Sequence, residues 1–312
     1  MKKTIMTVTL NPCIDKTIVL NGFCEGGLNR AKSVRTDAGG KGINVAKVLK
    51  RFDAAVLAVG VIGEGGSEIV LSELDERGIC RDFVKVSGET RTNYKLQDKA
   101  KGQVTEVNES GFFVNDESLE KIMSLIKSRL PEVGVMVLSG SVAPGIPTDI
   151  YKRLITLAKE QGILVILDAD GAAFKEAIEA APYAVKPNRF ELEQFFGREL
   201  PTDGDLLACG RALIDRGISL VVVSLGAEGA VFITKDEAIR VNLAPLACQS
   251  TVGAGDSMVA SVAASLVEEA DLLSLARRAS AAGTVTASKP GTEVCTKEEV
   301  SDYEKRLTIT VL

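Results

Sequence analysis

The chain contains no histidine and no tryptophan. Without an imidazole, Ser-His-Asp hydrolysis, Cys-His hydrolysis and His-ligated zinc are excluded. Any acid–base chemistry must then run through Asp, Glu, Lys, Tyr or Cys. No apolar run reaches the ~18 residues of a spanning helix. No long basic run appears and the formal charge is −5, which argues against nucleic acid or an anionic membrane as a partner. The six cysteines, Cys13, Cys24, Cys80, Cys209, Cys248 and Cys295, form no C-x-x-C pair. That excludes a zinc knuckle or a disulfide framework, fits a reducing cytoplasm, and predicts small buried or half-buried thiols. Internal repeats, low-complexity tracts and Pro/Gly/Ser linkers are also lacking.

What is present is an ordinary globular composition, 46% hydrophobic over 312 residues. That length suits one large α/β domain with embellishments, or two small domains. The N-terminal "MKKTIMTVTLNPCID" has the lysines of a signal peptide. Its Thr-apolar alternation and Asn11-Pro12 stop make it a first strand instead.

Apolar, β-rich runs predict strands at 4–10, 55–61, 133–139, 163–168, 183–186, 220–225 and 230–234. Helical periodicity predicts helices at 42–52, 67–77, 116–130, 148–161, 205–216, 256–269 and 271–288. The tail 298–312 reads as a final helix with a short apolar end. Alternation of this kind implies right-handed crossovers and a doubly wound, mainly parallel sheet. Segments 16–36 and 83–114 break the rhythm. The second contains "TNYKLQDKAKGQVTEVNES", a hairpin pattern with one wet face. Both read as a small β flap beside the sheet, its edges suited to pairing with a second copy.

Four glycine-rich or capped stretches could carry chemistry. "DAGGKGINVAKVLK" (37–50) leads into an amphipathic helix. It fails as a P-loop, because Arg35 stands where the first Gly belongs and Gly42 replaces Ser/Thr. It reads either as a polar small-molecule contact that uses Asn44 or as a tight turn. "VSLGAEGAVF" (223–232) reads as a hairpin turn whose small residues could also pass beneath a nucleotide. "STVGAGDSM" (250–258) lacks the third Gly of a dinucleotide fingerprint, and an acid there would repel a pyrophosphate. Its amides at 252–256 can form an anion nest at a helix start, with Asp256 placed to take a proton. A helix start keeps such an acid ionised and therefore a weak base, unless Asp256 simply caps the helix. "VKPNRFELEQFFG" (185–197) could be a capping box of Asn188 and Glu191, or those two residues near a metal–phosphate group.

These segments, with "NPCID" (11–15) and "SGSVAPG" (139–145), come in the order and spacing of the PfkB/ribokinase carbohydrate kinase family. The resemblance runs from residue 4 to about 295. It implies a single ribokinase-like domain over 1–312: a three-layer αβα sandwich with a mainly parallel sheet and a small β-sheet lid at about 16–36 and 83–114. It implies phosphoryl transfer from ATP, with Mg²⁺, to a sugar hydroxyl. By the same resemblance, Asp256 is the base and Gly253, Ala254 and Gly255 belong to its anion hole. Thr251, Val252, Lys186, Asn188, Ser224, Gly226 and Gly229 face the nucleotide, and Glu191 with Asn188 the metal. Asp15, Gly39, Gly40, Asn44 and Ser139 face the sugar. Arg91, Lys41 and Arg30 face a sugar phosphate, with Asn29 beside them.

Within the family the chain is most similar to the phosphofructokinase/tagatose-6-phosphate kinase branch, and Lys41 in "GGKGIN" resembles its 1-phosphofructokinase subgroup. The expected substrate is a phosphorylated ketohexose, fructose 1-phosphate. The alternatives are fructose 6-phosphate, tagatose 6-phosphate, an unphosphorylated sugar or nucleoside, or a non-catalytic nucleotide-binding regulator. A cytoplasmic homodimer joined through the lid is also expected.

Overall fold

The computed structural model describes residues 3–312. The elements, in chain order, are β1 (Thr4–Thr9), β2 (Cys13–Leu20), β3 (Ser33–Gly39), α1 (Lys41–Arg51), β4 (Val56–Gly65), α2 (Ser67–Glu76) and β5 (Cys80–Glu89). Then come β6 (Arg91–Asp98), β7 (Gln103–Asn108), α3 (Asp116–Arg129), β8 (Val133–Ser139), α4 (Ile150–Lys159), β9 (Leu164–Asp168), α5 (Gly171–Ile178), β10 (Ala184–Val185) and α6 (Arg189–Phe196). The last are α7 (Asp203–Ile214), β11 (Leu220–Ser224), β12 (Ala230–Ile233), β13 (Ala238–Asn242), α8 (Ala254–Val267), α9 (Leu272–Ala287), α10 (Lys297–Glu304) and β14 (Thr308–Val311).

Ten strands form one sheet in the order β14-β13-β12-β11-β10-β9-β8-β1-β4-β5. Neighbours from β5 to β11 are parallel, and β12, β13 and β14 add on antiparallel. The central strands are apolar throughout because both faces are covered. One face packs α1, α2, α8, α9 and α10, through Ile43, Val70, Val259, Leu275 and Val300. The other packs α3 to α7, through Ile122, Tyr151, Phe174, Leu192 and Leu213. This is the expected three-layer αβα sandwich. In α4 the apolar stripe Ile150, Tyr151, Leu154, Ile155 and Ala158 sets the buried face.

Four strands form a second sheet in the order β3-β2-β6-β7. The hairpin read from "TNYKLQDKAKGQVTEVNES" is β6 with β7, and every residue of β7 is exposed. The segment 83–114 is divided, however. Its first part lies in β5, which pairs with β4 at the edge of the large sheet, and only β6 and β7 join the small one. The strand β5 mixes polar and apolar residues and buries only Val86, so its sequence resembles the flap more than the core.

The chain leaves β1 in two directions, since β4 and β8 flank it on opposite sides. Such a switch point opens a crevice beyond the carboxyl ends of the strands. The small sheet rises from that end of β1, through Asn11, Pro12 and β2. Among the described residues, no helix is long and apolar enough to cross a membrane.

Candidate functional site

Asp256 is the third residue of α8. Its carboxylate is buried and accepts a hydrogen bond from Asn44 Nδ2 at 2.9 Å. Asn44 is held in turn by its amide, which donates to the Gly40 carbonyl at 2.9 Å as α1 begins. The helix is not capped by Asp256. Its N-cap is Gly253, at φ 75°, a left-handed conformation that glycine adopts without strain. Burial, and then the nearby Asp168 charge, push the Asp256 carboxyl up to about 6. The weak base expected at a helix start is thus corrected. Desolvation outweighs the helix dipole and makes the ionised group more basic.

The anion nest is narrower than 252–256. The Val252 amide donates to Ser250 Oγ at 3.3 Å and the Ala254 amide to the Thr251 carbonyl at 3.3 Å. Gly253, Gly255 and Asp256 supply the amides that lie free of these bonds, and the last two sit in a first helical turn, where no intrahelical acceptor exists.

Asp168, at the end of β9, was missed in the sequence. It is buried and pairs with Lys186 at 3.2 Å and Lys41 at 3.4 Å. Burial raises its carboxyl, but Lys186 and then Lys41 outweigh it and hold it below the usual range. Lys186 also reaches the nest, its Nζ 3.3 Å from where a Cβ on Gly255 would stand. Asp168, with Asp256 and Glu191 behind it, holds Lys41 charged. Lys41 therefore faces this acidic centre. Asp168 Oδ2, Ser139 Oγ, Thr9 Oγ1 and Asn11 Oδ1 are buried without a protein partner. All four lie at the carboxyl ends of β1, β8 and β9, with Ser139 directly opposite Asp168. A lone acid closing the apolar strand "ILD" was the signal available for Asp168.

A cleft of about 540 Å³ opens on one side of the nest. Ser224, Gly226, Gly229, Thr251 and Gly255 line it, together with Ala254. The structure adds Ser280, Gly283 and Thr284 from α9 and the exposed thiol of Cys248. The small residues of α9 suit tight helix packing, so nothing in their sequence marks them as lining a cleft. Lys186, Asn188, Val252 and Gly253 do not line the cleft, though Lys186 lies beside Gly255 and Asn188 bridges to Ser224.

On the other side the small sheet presents Asp15, buried in an ion pair with Lys95 at 3.0 Å. A Cβ on Gly39 would stand 2.8 Å from the Asp15 carboxyl carbon and 2.7 Å from Cys13 Sγ, so only glycine leaves Asp15 its place. Arg91 stands opposite Cys13 in the register and donates to the carbonyls of Asn11 and Glu109. Arg30 does not join this group within one chain. It lies in the loop before β3, at the far end of the sheet, since the six steps of β3 from Ser33 to Gly39 span about 20 Å. Asn29 closes that loop, exchanging hydrogen bonds of 2.8 Å with the Cys24 backbone.

The cysteines differ from expectation. Cys13, Cys209 and Cys295 are buried, whereas Cys24, Cys80 and Cys248 are exposed. Burial, with Asp15 beside it, pushes the Cys13 thiol up to about 12, so it is inert at neutral pH.

Asn188 and Glu191 form a complete capping box on α6, with both bonds at 2.8 Å. The box uses Glu191 Oε2 and leaves Oε1. Asn188 also bridges to Ser224, which brings it beside the cleft. Among the described residues, no cluster of three or more His, Cys, Asp or Glu is built to hold a metal. A magnesium ion carried on nucleotide phosphates needs only one or two carboxylates and several waters. Glu191, Asn188 and the unpartnered Asp168 Oδ2 fit that sparse donor set.

A profile of the pfkB family of carbohydrate kinases matches residues 8–299. The 1-phosphofructokinase of Xanthomonas campestris is 43% identical over 290 residues, 90% of each chain. The tagatose-6-phosphate kinase of Staphylococcus epidermidis is 32% identical, across 98% of this chain and 99% of its own. Phosphofructokinase-2 from Escherichia coli, solved in complex with potassium, is 29% identical. It superposes with a TM-score of 0.91 over 98% of this chain and 99% of the other.

Proposed function

Because the chain belongs to the pfkB carbohydrate kinase family, we propose that it transfers the γ-phosphoryl group of ATP to the C6 hydroxyl of fructose 1-phosphate, giving fructose 1,6-bisphosphate and ADP. The observation that carries this reading is that one cleft and the small-sheet face meet at one helix start, joined by the Asn44–Asp256 hydrogen bond. The small-residue cleft ends at Gly255, the Asp15 and Gly39 side lies across from it, and Asp256 stands buried at the junction.

The acceptor hydroxyl gives its proton to the Asp256 carboxylate as its oxygen bonds to the γ-phosphorus. The bond from that phosphorus to the β,γ-bridging oxygen breaks, and ADP leaves with the electron pair. Transfer of this kind has a loose transition state, so positioning and charge stabilisation matter more than base strength. The amides of Gly253, Gly255 and Asp256 receive the equatorial oxygens, and Lys186 and Lys41 neutralise charge between donor and acceptor. Asn44 orients the Asp256 carboxylate. Asp15 and the Gly39-Gly40 backbone hold sugar hydroxyls, and Arg91 holds the sugar phosphate. When bound, Mg²⁺ supplies charge neutralisation on the nucleotide phosphates, and Glu191 with Asn188 would hold it through water. Closure of the small sheet excludes water and suppresses futile ATP hydrolysis.

Exposed Val34, Val104 and Val107 on the small sheet support a homodimer through that sheet. A single-chain mass in sedimentation velocity would remove that part of the reading. Free thiols and substrates found inside cells support a cytoplasmic enzyme. Phosphorus NMR of the product tests the reaction. A bisphosphate phosphorylated at C1 and C6 is expected from fructose 1-phosphate and MgATP. ADP formation without it would overturn the proposal.

A further inference from the structure

A run of contacts outside the site leads into it. Arg35, on β3, donates through Nε to both Asp37 oxygens at 3.1 and 2.8 Å, and through Nη2 to Thr292 Oγ1 at 2.5 Å. Its guanidinium lies over Gly291, 3.5 Å from where a Cβ would stand. The Gly291 carbonyl accepts from Ser250 Oγ at 2.8 Å, and Ser250 Oγ accepts from the Val252 amide at 3.3 Å. The amides of Gln249 and Ser250 both donate to the Ala287 carbonyl at the end of α9. The turn that opens α8 is therefore suspended between α9 and the 290–292 turn. Among the described residues, no other side chain from the small sheet bonds to that support.

At the other end of the run, Asp37 stands directly opposite Asp15 in the β2–β3 register. Opposite residues of an antiparallel pair share a face. The face that presents Asp15 thus also carries the Asp37–Arg35 pair, and Arg35 reaches from it to the support of the nest.

We infer that Arg35 and Thr292 are positioning residues for phosphoryl transfer: they fix the Gly253–Asp256 amides relative to the small-sheet face that carries Asp15. This rests on the kinase reading above. The physical requirement is strict, because donors to a developing charge must lie within a few tenths of an ångström of their place. A hydrogen bond from a charged donor is worth about ten- to a hundredfold in an equilibrium constant. Neither residue touches a reacting atom, so their loss acts through geometry.

The test compares Thr292→Val, which keeps the shape and loses the hydroxyl, with Thr292→Ser, which keeps the hydroxyl. Arg35→Ala and the double variant Arg35→Ala/Thr292→Val complete the set. Fructose 1-phosphate and MgATP are the substrates. Wild-type turnover of fructose 1-phosphate tests the underlying reading, and the ratios between variants test this inference. Thr292→Val should lower kcat about tenfold while KM for MgATP moves less than about twofold, the pattern of an interaction expressed in the transition state. Thr292→Ser should stay within about twofold of wild type, and the double variant should lose no more than Arg35→Ala alone, as members of one network do. The inference is overturned if Thr292→Val keeps wild-type kcat, if Thr292→Ser falls as far as Thr292→Val, or if the single losses multiply.

Discussion

Replacing Asp256 by Asn should move activity and stability in opposite directions. The carboxylate is buried, and its proton affinity rises from an ordinary 3.8 to about 6. Each pKa unit is worth ~1.4 kcal/mol, so holding Asp256 ionised at pH 7.5 costs the fold about 3 kcal/mol. Asn keeps the shape and can still accept from Asn44 Nδ2, while removing the buried charge. Asp256→Asn should therefore melt several degrees above wild type, at about 2 °C per kcal/mol for a chain of this size. Below pH 3.8 the native and unfolded acids are both protonated and the difference should vanish. From pH 3.8 to about 6 the unfolded acid ionises while the native acid keeps its proton, so wild type loses stability across that window, fully by about pH 6, while the variant does not. Loss of a general base removes about 10²- to 10⁴-fold of rate, so kcat should fall at least a hundredfold with both KM values little changed. In wild type, kcat/KM should fall below a break near pH 6. Paired thermal melts and steady-state rates from pH 4 to 8 check this. A variant less stable than wild type at pH 7.5 would mean the buried charge does not cost the fold stability, and one that keeps a third of its kcat would mean Asp256 is not the base.

Gly39→Ala should raise KM for the sugar phosphate well above its effect on MgATP, since the added Cβ meets Asp15 at 2.8 Å. Equal changes in the two KM values would place Asp15 elsewhere than on the acceptor. Cys248, exposed in the cleft, should react with iodoacetamide in the free protein and be protected by MgADP, as mass spectrometry of the peptide would read. Equal labelling with and without nucleotide would remove the cleft from consideration as the ATP site.

Local pattern carried a large part of this molecule. Parallel strands covered on both faces are apolar along their length, so β1, β8 and β11 were legible. So was the turn at 250–256, where glycines, an acid and a helix lie within seven residues. Asn188 and Glu191, three residues apart, announced their capping box for the same reason. Asp168 was not legible in that way. Its partner Lys41 is 127 residues distant, and only the sheet order brings them together. The basicity of Asp256 was hidden too, because burial is a property of the assembled layers. Arg30 shows the converse. It follows "GGLN" closely in sequence, yet the length of β3 carries it to the wrong end of the sheet. Half of the cysteines are exposed for a similar reason, since neighbouring residues do not state which thiol a helix covers.

The proposed acceptor is a phosphorylated ketohexose whose phosphate lies at C1. A coupled assay of kcat/KM for fructose 1-phosphate, fructose 6-phosphate, tagatose 6-phosphate and free fructose tests it most directly. Fructose 1-phosphate should exceed each of the others by at least about a hundredfold, since a site built around a charged group rejects a substrate that lacks it or misplaces it. A wide margin for either 6-phosphate, or equal use of free fructose, would contradict it.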